Sequence, residues 1–136
     1  MISFLLMLLV GLEPPAPVIE RGSDTARGRL CGRDATDNEA LLARIRLRTS
    51  VSALQDDAEF IQLMDAEENV VWTFTVRGRS AFPAVSCSEL GPYQGRLAFR
   101  QSVVCNGISQ TECEAFFVLN RIRNDRLLAA MQGNGE

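Results

Sequence analysis

"EFIQLMDAEENVVWTFTV", residues 59–76, decides the fold. Two apolar runs flank a polar loop, "DAEEN". In the second run Val70, Trp72, Phe74 and Val76 fall on one side, and Val71, Thr73 and Thr75 on the other. A period of two is the signature of a strand, and β-branched and aromatic side chains suit a pleated surface. The loop has hairpin length. The stretch therefore predicts an antiparallel pair.

Working toward the C-terminus, "RGRSAFP" at 77–83 turns the chain. "AVSCSEL" and "RLAFRQSVVC" then flank "GPYQG", whose Gly and Pro give turn chemistry at both ends. A hairpin closed by that loop places Cys87 near Phe99, on the face that carries Leu97 and Val103. Cys105 falls at the far end, near Ala81, so Cys87 and Cys105 are not expected partners. "SQTE", Ser109 to Glu112, is a capping box, with Ser109 as N-cap and Glu112 three residues on. A helix from about Gln110 to Met131 follows. Cys105 ends the strand that feeds the helix and Cys113 sits in its first turns, so a short loop brings the two sulfurs within reach. Sequence alone permits three pairings of four cysteines. The expected set is Cys105–Cys113, with Cys31–Cys87 by elimination.

One side of this helix carries Cys113, Phe116, Phe117, Leu127, Leu128 and Met131. Asn120 and Asn124 lie within that stripe and need partners if buried; backbone groups of a strand or loop are the expected ones. Ala115, Val118, Leu119 and Ile122 form a second apolar strip. The helix is thus expected to be covered twice, by the sheet and by the N-terminal arm or a partner subunit.

Toward the N-terminus, "ALLARIRLRTSV" at 40–51 supports two readings. Asp37 or Asn38 can cap a short helix from Glu39. From Ala43 onward the alternation of Ile45, Leu47 and Val51 with Arg44, Arg46 and Arg48 favours a strand over 43–51. Residues 21–37 read as an irregular arm and 38–136 as a single domain. The expected class is α+β: an antiparallel sheet of about four or five strands with the C-terminal helix packed on one face, in two layers.

"MISFLLMLLVGLEPPAPVIE", residues 1–20, opens with an apolar run too short to span a bilayer, which needs about 20 residues. Its length suits the apolar core of a secretory signal. No Arg or Lys precedes the run and no clean small-x-small cleavage site follows it. A buried N-terminal helix and a membrane anchor stand as the alternatives. Four cysteines without a CxxC pair fit an oxidising compartment and structural disulfides better than zinc or thioredoxin-like redox chemistry.

The stretches "WTFTVRGRSAFPAV" and "VVCNGISQTECEAFFVLNRI" carry Trp72, Pro83, Cys105, Gly107 and Cys113. In these residues the last half of the chain resembles short, uncharacterised, exported bacterial proteins with an aromatic-Thr strand, a Pro-Ala-Val segment and a C-G…C pair before a terminal helix. The resemblance implies export. It implies no activity and no catalytic residue.

Composition narrows the chemistry. The chain has no His, and all 14 basic residues are Arg. A Ser–His–Asp triad, a Cys–His pair, a His-ligated metal, a Lys Schiff base and a P-loop are therefore excluded. With a net charge of −3, no global field favours nucleic acid. No cofactor or metal is expected. Arg44, Arg46 and Arg48 form one candidate cationic row and Arg96 and Arg100 another, since guanidinium groups suit phosphate or carboxylate. Asp56, Asp57 and Glu59, or Asp65, Glu67 and Glu68, are the carboxylates a hydrolase would draw on. The reading is a small exported, non-catalytic binding or interaction module, periplasmic or secreted and not an integral membrane protein after processing. Its partner is an anionic ligand or a protein. The alternative is a small exported hydrolase using carboxylates or a thiol.

Overall fold

The computed structural model describes residues 28–56, 59–79 and 81–133. The proposed export signal lies outside them. Among the described residues seven strands and two helices follow in chain order: β1 (Arg29–Leu30), β2 (Arg33–Asp34), α1 (Asn38–Arg46), β3 (Val51–Asp56), β4 (Phe60–Asp65), β5 (Val70–Thr75), β6 (Ala84–Tyr93), β7 (Arg96–Cys105) and α2 (Gln110–Gly133). Strands β3 to β7 form a five-stranded antiparallel meander in sequence order, and β1 pairs with β2 in a small separate hairpin. The class is α+β.

The hairpin at 59–76 is the centre of the molecule. Its register pairs Leu63 with Trp72 and Ile61 with Phe74. Every residue of β5 is buried, so both faces of the sheet are covered. On one face Leu63, Val70, Trp72, Phe74, Val85, Cys87 and Val104 pack with Leu41 and Ile45 of α1 and with Leu30 and Ala35. The opposite face meets α2. There is thus a helix on each side of the sheet, one layer more than the sequence predicts.

The strand expected over 43–51 is a correction. Residues 38–46 are helix, capped by the Asp37 carboxylate, which accepts from Ala40 N–H at 3.1 Å. Leu41 and Ile45, four apart, are its fully buried residues, which is helical spacing. Leu47, which the alternation places inward, is 83% exposed. A second correction falls on residues 28–37, where the expected irregular arm carries the β1–β2 hairpin and contributes Leu30 and Ala35 to the core.

The β6–β7 hairpin is longer than expected. Its strands run through Gly91, Pro92 and Tyr93, and the turn is Gln94–Gly95, with φ of 50° and 77°. Positive φ at both central residues is the two-residue turn that matches strand twist. Pro92 is tolerated because β5 pairs with β6 only as far as Glu89, so no ladder bond on that side is lost. The shift sets Cys87 opposite Ser102, not near Phe99. Cys87 shares its face with Trp72, while Val103 lies on the other.

The two covers differ in kind. At the N-terminal end of α2, Phe116 packs on Phe60 and Ala84, with ring centroids 5.8 Å apart for the two Phe side chains. Further along, the interface is polar. Asn120 Nδ2 donates to Ser86 Oγ. Asn124 Nδ2 donates to Ser88 Oγ at 2.7 Å and to Gln101 Oε1 at 2.9 Å. Gln101 Nε2 donates to the Phe117 carbonyl at 2.9 Å. The geometry explains the fit: four residues of helix rise about 6 Å and two residues of strand about 6.7 Å. Asn120 and Asn124 therefore match Ser86 and Ser88 step for step. Deleting one buried partner leaves the others unsatisfied. Asn124→Ala is expected to destabilise the fold by about 1–3 kcal/mol, because Ser88 and Gln101 lose their donor. Asn120→Leu combined with Ser86→Ala is expected to cost less than Asn120→Ala alone. Urea unfolding of the three variants measures both expectations.

Candidate functional site

The structure separates the arginines expected to form a row. Arg44 and Arg46 lie on α1, two residues apart and so about 200° apart around its axis. Arg44 Nη2 donates to the Asp34 carbonyl at 3.0 Å. Arg48 follows the helix and is committed to acids. Its Nε lies 2.7 Å from Asp65 Oδ2, and its Nη2 lies 2.9 Å from Glu68 Oε1 and 3.8 Å from Glu67 Oε2. Arg33 Nη2 shares Glu68 at 2.5 Å. Arg96 and Arg100 do share a face of β7, but Arg100 stands directly opposite Glu89 of β6.

This same network takes up the "DAEEN" carboxylates. Asp65 is fully buried, and its Oδ1 also caps the turn, accepting from Glu67 N–H at 3.1 Å and Glu68 N–H at 3.3 Å. Burial alone would raise the Asp65 carboxyl. Hydrogen bonds from Ser50, Arg48 and the two turn amides outweigh it and hold the group below its ordinary value. These acids tie β2, the end of α1 and the β4–β5 turn together. Asp56 and Asp57 lie where no side chain is described.

The four cysteines are also committed. Cys31 bridges Cys87, with Cα atoms 6.4 Å apart, and Cys105 bridges Cys113, at 5.9 Å. No free thiol remains. The first bridge joins the β1–β2 turn to the buried face of β6. The second joins the end of β7 to the first turn of α2, just past the Ser109 cap, whose Oγ accepts from Glu112 N–H at 3.1 Å.

Arginines gather instead at a place the sequence reading did not single out. An open cleft of about 340 Å³ lies between α2 and the β3–β4 edge, lined by Leu54, Gln62, Arg123, Arg126 and Leu127. A shift of register between Ala53 and Gln55 marks β3 beside it, and the unpaired extra residue of such a bulge can re-aim a side chain. Gln62 is buried on β4, and its Nε2 donates to Thr73 Oγ1 at 3.3 Å. Arg123 lies over the Phe60 ring, 4.4 Å from guanidinium carbon to centroid. The signal was available: Phe116, Asn120, Arg123 and Leu127 recur at three- and four-residue steps on one helix face.

No protein-family model, curated protein or solved structure matches the chain. Among the described residues no helix is long and apolar enough to cross a membrane.

The acid network generates a pH expectation. A carboxyl depressed on folding adds stability that is complete above its unfolded value of about 3.9 and is lost as pH falls through the lower folded value. The protein should lose stability below about pH 4. Asp65→Asn should lower stability at neutral pH and flatten that acid limb, as read by thermal unfolding from neutral to strongly acidic pH. An unchanged acid limb in the variant assigns the loss to other groups.

Proposed function

We propose that the protein is an exported, disulfide-stabilised, non-catalytic binding module whose cleft beside α2 holds an anionic ligand. The observation that carries the reading is the placement of Arg123 and Arg126 with the Gln62 amide between Leu54 and Leu127. Planar guanidinium groups present paired donors that match carboxylate or phosphate oxygens. The flanking leucines favour an anion with a short apolar portion. The reading moves the anion site from Arg44, Arg46 and Arg48, which the structure separates, to Arg123 and Arg126, which share one cleft. Among the described residues that line the cleft there is no general base or nucleophile.

Export rests on the two bridges, since the cytosol keeps thiols reduced. The apolar run at 1–12 supplies a route. The likeness to short exported bacterial proteins points the same way.

Titration with small alkyl carboxylates and phosphate esters tests the ligand. Binding should weaken as ionic strength rises, and Arg123→Gln should weaken it and Arg123→Gln with Arg126→Gln remove it, while the unfolding free energy stays within about 1 kcal/mol of wild type. Equal affinity in the double variant overturns the site. For the bridges, the chain-entropy relation gives about 2.5 kcal/mol for the short Cys105–Cys113 loop and about 4 kcal/mol for the Cys31–Cys87 loop. Paired Cys→Ala variants should lose stability in that order. Non-reducing peptide mapping and N-terminal sequencing of protein from its native host test the compartment. Four free thiols on a chain that begins at Met1 overturn it.

A further inference from the structure

The outward face of α2 carries an exposed apolar strip. Asn120 and Asn124 point at the sheet, while Val118, Leu119 and Ile122 are 50%, 47% and 40% exposed. They belong to a longer pattern. Thr111, Ala115, Val118, Ile122, Asp125 and Ala129 are all exposed and recur at steps of 4, 3, 4, 3 and 4. That is the 3.5-residue repeat of a two-helix seam, on the side of the helix away from its own domain.

We infer that α2 pairs with α2 of a second copy of this chain, antiparallel, about a two-fold axis at Leu119. The charges select both partner and direction. One flank of the seam carries Glu112, Leu119 and Arg126, and the other Glu114 and Arg121. Parallel pairing would set Asp125 against its own copy within the seam and Arg121 against Arg126 of the other chain, two like-charge contacts. Antiparallel pairing sets Leu119 on Leu119 at the axis. It also sets Glu112 opposite Arg126 on both sides of that axis, and Asp125 opposite Ala115. Arg121 then approaches its own copy at the solvated rim, where Asp125, four residues along the same helix, offsets it. A closed, self-complementary patch of this kind is the usual geometry of a two-fold dimer. A seam of one helix is small, so the dimer should be weak, half dissociated in the micromolar range.

The experiment uses the full chain. Sedimentation equilibrium over a concentration series should show a reversible monomer–dimer equilibrium. Ile122→Arg should raise the dimer dissociation constant at least about tenfold without shifting the far-ultraviolet spectrum. Leu119→Cys should form a covalent dimer under mild oxidation, and Asp125→Cys should not; the reverse result would mean parallel helices. Arg126 lines the cleft and also flanks the seam, so the two readings are separated by Arg123→Gln alone, which lies in the cleft and outside the seam, and either proposal can fail alone. Glu112→Arg should weaken the dimer, and adding Arg126→Glu should restore it. A full chain that stays monomeric at millimolar concentration overturns the inference and leaves the face to the chain's own N-terminal residues or to a different protein. A dimer indifferent to Ile122→Arg also overturns it.

Discussion

Burial of β5 on both faces is the constraint on which the rest of the structure depends. A strand with solvent on one side can alternate apolar and polar residues. β5 cannot, because Val70, Trp72 and Phe74 face α1 and Val71, Thr73 and Thr75 face α2. Each face then needs a cover, and a chain of 136 residues has little material for two. Nine residues of α1 and a two-strand hairpin close the first face, and 24 residues of α2 close the second. Each cover is joined to the sheet by one disulfide. The bridges sit where a short chain segment would otherwise have to hold its place by packing alone.

The two faces are held by different forces. The α1 face is a dry cluster of Trp, Phe, Leu and Val, stabilised by removal of apolar surface from water, at roughly 25 cal/mol per Å². The α2 face replaces much of that with amides and hydroxyls. Each such bond contributes only about 1 kcal/mol net, because the unfolded chain bonds to water instead. Leaving one unmade is costlier than making it is helpful. Asn120 Oδ1 and Asn124 Oδ1 are buried without partners, which lowers the return from this layer further. The polar layer is therefore a weak source of stability and a strong source of specificity.

Local pattern revealed the elements that local physics decides. The alternation in 70–76 marked β5, and the Ser109–Glu112 box marked the start of α2. Chain order placed Cys105 and Cys113 within reach, because a strand end and a helix start cannot separate far across a short loop. The α1 segment misled because Arg44, Arg46 and Arg48 alternate with Ile45 and Leu47 in a run too short to separate a period of two from one of 3.6. The Asp37 cap and the Leu41–Ile45 spacing settle it. Remote contacts were not legible. Asn120 and Asn124 were visible as residues in need of partners, but Ser86, Ser88 and Gln101 are more than 20 residues away in sequence. The cleft was missed for the same reason, since Gln62 on β4 and Arg123 on α2 meet only once the sheet has formed.

The polar layer also fixes what the outer surface of α2 can be. An apolar helix face resting on an apolar sheet has several registers of similar energy, since Leu and Ile accept many neighbours. An amide that must meet a hydroxyl has one. Turning α2 by a single residue, about 100°, would pull Asn120 and Asn124 from Ser86 and Ser88 and press Arg121 or Asp125 toward a buried surface. Both changes leave unpaired polar groups in the interior, so the helix does not roll. With the inner face locked, the outer face is locked too, and Val118, Leu119 and Ile122 are held outward although their hydrophobicity favours burial. The Cys105–Cys113 bridge fixes the start of the helix and the asparagine ladder fixes its rotation. Together they turn an apolar strip that could have collapsed onto its own sheet into a rigid surface at a defined angle.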